Sequence, residues 1–169
     1  MNSTPVGNRL HIGIFGKRNV GKSSFINALT GQSIAIVSDI AGTTTDPVGK
    51  TMEISGIGPV YIYDTAGIDD SGELGEKRVA RTRQIIRKIN LALLVTTFSG
   101  FDSEDETLIQ ELIAQNREVI VCFNKSDIEK PDDDKIAALQ KDNIPWVQVS
   151  CLSGAGIEKA KKIIIERGS

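Results

Sequence analysis

Short apolar runs alternate with amphipathic stretches along most of the 169 residues. The apolar runs have the length of strands and predict buried strands at 10–15, 91–97, 118–123 and 146–149. Apolar residues that recur every three or four positions predict helices at 22–29, 76–88, 103–115, 132–141 and 156–165. This alternation indicates a mostly parallel sheet covered by helices on both faces, with ligands outside the carboxyl ends of the strands.

One hairpin interrupts the alternation. Residues 50–54 alternate between apolar and polar, a turn is expected at 56–59, and residues 60–63 supply the partner strand. We therefore expect an α/β domain with a six-stranded sheet, in which one antiparallel strand lies at the edge.

Two helices carry local signals. In the third helix, Ser103 is the expected N-cap, and Glu106 completes a capping box. The second helix is expected to turn one apolar face to the core, formed by Val79, Thr82, Ile85, Ile86 and Ile89.

Composition indicates one ordinary globular domain, with 40% hydrophobic and 25% charged residues. We place this domain at 9–166, after a flexible N-terminus at 1–8 and before a tail at 167–169, where we expect a longer protein to be truncated. The net charge of −2 gives no broad reason to bind nucleic acid, and the basic stretch 77–88 is interpreted as a solvated helix face.

The chain carries no signal for export or for a membrane. The first eight residues lack the apolar core of a signal peptide, and the longest apolar run, 91–95, is too short to span a bilayer. Cys122 and Cys151 lack the paired spacing of a zinc or iron–sulfur site. We expect a cytoplasmic protein with no membrane partner and with both cysteines reduced.

The first strand is followed by a phosphate-binding motif. Gly16 to Ser23 has the spacing G-x-x-x-x-G-K-[ST], in which backbone N–H groups converge on phosphate oxygens. Lys22 is expected to reach the terminal phosphates, and the Ser23 hydroxyl to bind Mg²⁺. Lys17 and Arg18 either contact phosphates or a partner, or lie at an exposed loop tip. The expected phosphate-binding residues are Gly16, Asn19, Val20, Gly21, Lys22, Ser23 and Ser24.

A second motif follows the strand that ends at Phe123. Asn124, Lys125 and Asp127 form N-K-x-D, the guanine signature of the GTPase superfamily, which the chain resembles. A carboxylate at Asp127 can accept two hydrogen bonds from guanine, whereas adenine lacks the matching donors. A turn-forming cluster of polar residues is the plain alternative for the tetrapeptide alone. The resemblance implies a P-loop NTPase fold of the Ras-like type and a slow conversion of GTP to GDP.

Three further segments match this superfamily. By resemblance, Ser150 and Cys151 stand at the last guanine-contacting motif, in which Leu152 replaces a common Lys. Asp64 is expected to reach Mg²⁺ through water, and the Gly67 N–H to sense the γ-phosphate. Among the hydroxyls at 43–45, Thr44 is the expected second Mg²⁺ ligand, with Thr43 as the fallback.

Ile68 stands where Ras-like enzymes place a water-orienting Gln. The branch of bacterial GTPases that includes MnmE has a hydrophobic residue here and holds K⁺ through an Asn of the phosphate loop. This resemblance implies that Asn19 helps to bind K⁺ beside the phosphates; alternatively, Asn19 merely shapes the loop. The expected catalytic residues are Lys22, Asn19, Thr44 and Gly67.

Within that branch, 37–48 and 64–75 resemble the N-terminal G domain of the iron–iron hydrogenase maturation GTPases, the HydF family. The resemblance implies a maturation scaffold, with hydrogenase and other maturation proteins as partners and a nucleotide-dependent G-domain dimer. Its iron–sulfur cluster would lie in C-terminal domains outside this sequence.

Two alternatives stay open: an MnmE- or Era-like GTPase acting on tRNA or ribosomes, and a small-molecule kinase that uses the phosphate loop.

Overall fold

The computed structural model of the chain describes residues 10–17, 20–31, 49–64, 75–125 and 127–168. The described residues contain six strands: β1 (Leu10–Phe15), β2 (Lys50–Ile54), β3 (Gly58–Asp64), β4 (Leu91–Thr96), β5 (Glu118–Phe123) and β6 (Trp146–Gln148). The described helices are α1 (Lys22–Thr30), α2 (Gly75–Lys88), α3 (Ser103–Ala114), α4 (Asp133–Lys141) and α5 (Ile157–Gly168). Every predicted element is confirmed to within three residues at its ends.

The strands form one sheet in the order β2-β3-β1-β4-β5-β6. In the part of the chain that the structure describes, the β2–β3 pair alone is antiparallel and the other four pairs are parallel, which confirms the predicted antiparallel edge. Strand β1 lies in the middle between β3 and β4, where the direction of winding reverses. Ligands of open α/β sheets bind at such a reversal, beside the carboxyl ends of the strands.

Two apolar layers cover the sheet. On one face, Phe25 of α1 and Ile164 of α5 are fully buried and share a cluster with Ile12 and Ile14 of β1. On the other face, α2, α3 and α4 contribute buried residues such as Ile86, Leu112 and Leu139. Helices on both faces are therefore confirmed. Among the described helices, none is both long enough and apolar enough to cross a bilayer.

Two helix details differ from the expectation. The N-cap of α3 is Asp102, and its carboxylate accepts the Glu104 N–H at 3.0 Å. Its capping box is completed by Asp105, not Glu106, since Asp105 Oδ2 accepts the Asp102 N–H at 3.1 Å. Asp and Ser are both good N-caps, so the sequence does not decide between the adjacent residues 102 and 103.

Val79 of α2 is 49% exposed, although we expected it in the core. It lies two turns before Ile86 on the same helix face, so the predicted apolar face is correctly oriented. The core residues of this helix begin with Ile85, which is 1% exposed, and Val79 lies beyond them toward the N-terminus.

The β2–β3 turn lies at the opposite end of the sheet from the carboxyl ends of β1 and β4. Gly56 and Gly58 have φ angles of 89° and 107°, which favour glycine. A Cβ added at either glycine would have no neighbour within 4 Å. Ile57 of this turn packs against the core, whereas the two glycine positions have open space around them.

Candidate functional site

The loop from β1 to α1 leads into a helix whose N-cap residue provides no side-chain cap. Gly21 is this N-cap; it adopts a left-handed conformation and, as a glycine, makes no side-chain hydrogen bond to the first turn. This turn contains no acidic residue, and Ser23 and Ser24 are exposed there. Free N–H groups at a helix N-terminus attract anions, so the local geometry suits a phosphate.

Glycine is required at both ends of this loop. A Cβ at Gly16 would lie 2.3 Å from the Val95 carbonyl oxygen, and one at Gly21 would lie 2.4 Å from Asn124 Nδ2. The φ angles of 148° and 92° also favour glycine. The loop backbone thus approaches two neighbouring segments more closely than any side chain would allow.

The Lys22 ammonium lies across the loop. Its Nζ donates to the Gly16 carbonyl at 2.6 Å, and the residue is only 6% exposed. A buried cation beside the uncapped N-terminus of α1 adds positive charge where an anion would bind.

Asp64 ends β3 at the position paired with Ile14 of β1, two residues before Gly16 at the start of the loop. Together with the Ser23 hydroxyl, it offers the oxygen chemistry that Mg²⁺ prefers when phosphates supply further ligands. Among the described residues, no group of three His, Cys, Asp or Glu side chains could hold a metal by itself.

Asn19, Thr44 and Gly67, together with Thr43 and Ile68, lie outside the described residues. The roles suggested for them stay predictions.

Asn124 connects the loop between β1 and α1 to the loop that follows β6. Its amide Nδ2 donates to the Val20 carbonyl at 2.9 Å, and its Oδ1 accepts the Cys151 N–H at 3.3 Å. Its own backbone N–H donates to the Thr96 carbonyl at 2.8 Å, and the residue is 5% exposed. One buried side chain thus joins the phosphate motif, the N-K-x-D motif and the loop after β6.

The next residues turn the chain and present a carboxylate. Lys125 adopts a φ of 64°, and its carbonyl accepts the N–H groups of Ile128 and Glu129 at 3.0 and 2.9 Å. Asp127 is exposed, and its Oδ1 accepts the Ser150 hydroxyl at 3.0 Å.

Ser150 is itself held in place. It is 1% exposed, and its Oγ accepts the Ser153 N–H at 3.2 Å. The Asp127 carboxylate therefore has one oxygen oriented by a buried hydroxyl, as a group that recognises paired donors requires.

Both cysteines are free thiols, as expected. Cys151, which follows Ser150, is half-buried, and burial raises the pKa of its thiol to about 11. Burial also raises the pKa of Cys122, which lies within β5. Leu152, in contrast, is 89% exposed.

Lys17 has a role that the sequence did not indicate. Its Nζ donates to the Gly100 carbonyl at 2.7 Å and lies 2.6 Å from Asp102 Oδ2 and 3.3 Å from Asp105 Oδ2. The side chain points neither to the uncapped N-terminus of α1 nor freely into solvent. No local pattern signals a contact across more than eighty residues.

The pKa values of this cluster follow from its burial and pairing. Burial would lower the pKa of Lys17, but the hydrogen bond to Asp102 and the charge of Asp105 outweigh it, so the pKa is raised. The hydrogen bond from Lys17 lowers the pKa of Asp102. Burial raises the pKa of Asp105, and the Asp102 N–H and Lys17 only partly oppose this.

Comparison with known proteins identifies relatives of this arrangement. A family model described as 50S ribosome-binding GTPase matches residues 11–125. The tRNA modification GTPase MnmE of Bacillus pumilus is 38% identical over 153 residues, which cover 89% of this chain and 33% of that protein. MnmE of Syntrophotalea carbinolica is 39% identical over 159 residues, covering 94% of this chain and 34% of that protein. The chain thus spans about a third of the length of these relatives.

Solved structures agree with the fold. Aquifex aeolicus Era, in a variant bound to GDP and AlF₄⁻, superposes with a TM-score of 0.69 at 29% identity, covering 94% of this chain and 56% of that one. Era in complex with MgGDPNP and nucleotides 1506–1542 of 16S ribosomal RNA gives a TM-score of 0.67 at 27% identity, covering 93% and 56%. The G domain of T. maritima FeoB reaches a TM-score of 0.70 at 23% identity over 96% of this chain and all of that one, a likeness of fold alone.

Proposed function

The chain belongs to the GTPase family described as 50S ribosome-binding GTPase and is a GTP-binding G domain, and from this we propose which residues bind the nucleotide and act in its hydrolysis. The observation that carries the proposal is the Asn124 side chain, which connects Val20 of the phosphate loop to Cys151 of the loop after β6. An uncapped helix N-terminus and an oriented carboxylate thereby become two ends of one site.

At the phosphate end, the backbone from Gly16 to Ser24 would wrap the phosphates while Lys22 lies beside their terminal oxygens. Ser23 and Thr44 would bind Mg²⁺ directly and Asp64 through water. Mg²⁺ held there would offset the negative charge that develops on the transferred phosphoryl group. This assignment is supported by the uncapped α1 N-terminus and the buried Lys22 ammonium.

At the base end, we assign the recognition of guanine to Asp127. Its Oδ1 is oriented by the Ser150 hydroxyl at 3.0 Å, and Asn124 and Lys125 shape the turn that presents it. A carboxylate accepts the N1–H and the exocyclic amine of guanine together, whereas an amide oxygen and an amide NH₂ suit xanthine instead.

Asp127→Asn tests this assignment. The variant keeps an oxygen for the Ser150 hydroxyl but loses one acceptor for guanine, so its affinity for GTP should fall and its affinity for xanthosine triphosphate should rise. Asp134→Asn, at an exposed aspartate of α4, is the matched control and should bind GTP like the unchanged protein. Unchanged GTP affinity in Asp127→Asn would refute the base assignment.

Hydrolysis is further proposed to depend on K⁺, with Asn19 as a ligand. The support is sequence resemblance: Asn19 within the phosphate motif, and Ile68 where other GTPases place a Gln. GTP hydrolysis should be faster in KCl than in NaCl or LiCl at equal ionic strength, and Asn19→Ala should remove the difference. Equal rates in the three salts would exclude this part of the proposal.

For the whole protein, we propose a role in RNA metabolism, as the names of its relatives suggest. The MnmE proteins, 38–39% identical, are named for tRNA modification, and Era is solved with ribosomal RNA. These findings are in tension with our expectation that nucleic acid is not a partner, which rested on the net charge of −2.

Hydrogenase maturation is the second candidate, because 37–48 and 64–75 resemble that family. Purified full-length protein separates the two. Saturable tRNA binding that weakens with salt supports the RNA role. Bound iron and sulfide without tRNA binding support maturation.

A further inference from the structure

We propose that Lys17 is a positioning residue, which fixes the first half of the phosphate loop to the N-terminus of α3 and thereby raises the affinity for nucleotides that carry a β-phosphate. The proposal rests on the proposed nucleotide site and adds a residue that does not touch the nucleotide. We call the contact of Lys17 with Gly100, Asp102 and Asp105 the Lys17 anchor.

The anchor occupies the whole ammonium group. A lysine has three N–H donors, and Lys17 Nζ has three acceptors: the Gly100 carbonyl at 2.7 Å, Asp102 Oδ2 at 2.6 Å and Asp105 Oδ2 at 3.3 Å. Lys17 is thus directed to α3, whereas Lys22 points across the loop. The two lysines of the motif therefore have different tasks.

The acceptor side is rigid. Asp105 is 4% exposed, and the same Oδ2 atom closes the α3 capping box with the Asp102 N–H. The Gly100 N–H donates to the Thr97 carbonyl at 3.1 Å, which holds the preceding turn. An exposed ion pair contributes little, but a cation with a buried carboxylate and a fixed carbonyl restrains its own backbone.

The restraint acts through one neighbouring residue. Gly16, which precedes Lys17, gives its carbonyl to Lys22 Nζ at 2.6 Å. On its other side, Gly16 packs so closely against the Val95 carbonyl that a Cβ would lie 2.3 Å from it. With Lys17 anchored, the Gly16 carbonyl has one position, and so has the Lys22 ammonium; without the anchor, both can shift.

Lys17→Met tests the proposal by removing the charge and keeping most of the side-chain length. Its Kd for GDP and GTP should rise about tenfold, as expected for the loss of one charge-assisted hydrogen bond. Lys17→Arg should restore most of the affinity because it keeps a cation. GMP, which lacks the β-phosphate, should bind the unchanged protein and Lys17→Met with equal affinity in a competition assay.

Two further variants complete the design. Asp102→Asn removes the charge of the closest acceptor, which lies at an exposed position. Because both changes break the same contact, the variant that combines Asp102→Asn with Lys17→Met should lose less GDP affinity than the sum of the two single losses. Arg83→Met is the matched control, since it breaks a different ion pair of α3, the 3.2 Å contact between Arg83 of α2 and Glu111 of α3. It should leave the Kd for GDP unchanged.

The outcomes are distinct. Unchanged GDP affinity in Lys17→Met and Asp102→Asn would overturn the anchor while leaving the proposed function intact. Equal losses for GMP and GDP would also overturn it, because they would indicate general destabilisation. If the unchanged protein bound no GDP, the proposed function would fail as well. Should Lys17→Met not fold, Asp102→Asn alone decides.

Discussion

Replacing Asn124 by alanine is the most informative change at this edge of the sheet. The substitution removes both the donor to the Val20 carbonyl and the acceptor of the Cys151 N–H, at 2.9 and 3.3 Å. It leaves the hydrogen bond from the Asn124 backbone N–H to the Thr96 carbonyl in place, so the pairing at the end of β5 is preserved. We expect the protein to fold with lower stability and the two loops to lose their connection.

The magnitude follows from burial. Asn124 and Val20 are 5% and 6% exposed, so the Val20 carbonyl would lose a partner that water does not easily replace. A buried polar group left without a partner costs about 1–3 kcal/mol. Cys151 is half-buried and its bond is longer, so its N–H adds less. Together they predict a loss of about 2–3 kcal/mol in the free energy of unfolding.

Urea unfolding without nucleotide measures this loss. Asn90→Ala is a matched control, since Asn90 Oδ1 accepts the His11 N–H at 3.0 Å in an exposed position. Because water can replace that bond, the control should lose less than about 1 kcal/mol. If Asn124→Ala lost no more than the control, with an unchanged slope of free energy against urea, the buried bridge would not carry the energy assigned to it.

Two further predictions concern neighbouring positions. Gly21→Ala should weaken GDP binding by about tenfold or more, because a left-handed alanine is strained and its Cβ would lie 2.4 Å from Asn124 Nδ2. Gly31→Ala is the control: its φ is 69°, but a Cβ there would have no neighbour within 4 Å, so it should lower stability alone. Equal Kd values for the two variants in a fluorescent-GDP titration would contradict this prediction. Burial raises the pKa of the Cys151 thiol to about 11. Its alkylation rate should therefore still rise tenfold per pH unit through about pH 8.5, where the alkylation rate of an ordinary thiol begins to level off. A plateau of the rate near pH 9 would show that the thiol is not desolvated. Since this thiol holds its proton more tightly in the folded chain, its contribution to stability should also fall as the pH rises from about 9 toward 11.

The order of elements could be predicted because burial leaves a clear pattern in the sequence. All six residues of β4 are at most 1% exposed, and a strand buried on both faces appears as a continuous apolar run. The N-cap of α3 could not be predicted as securely. Asp102 and Ser103 are adjacent and both suit the position, and Lys17, which pairs with Asp102, is far away in sequence.

The same distinction holds for the site. The spacing of the motifs predicts which loops meet, since parallel strands end at a common edge. It does not predict which atoms connect them, because the bond from Asn124 to Val20 depends on the close approach of Gly21 in three dimensions. The Lys17 anchor was missed for the same reason.

The β2–β3 turn has a practical consequence. It lies at the opposite end of the sheet from the phosphate motif and the N-K-x-D motif, and Ser55 and Gly56 are exposed. A side chain added at Gly56 or Gly58 would have open space around it. Loop tips of this kind tolerate inserted sequence. A fluorescent reporter or an affinity tag inserted between Ser55 and Gly56 would therefore allow nucleotide binding and hydrolysis to be measured without altering the candidate site.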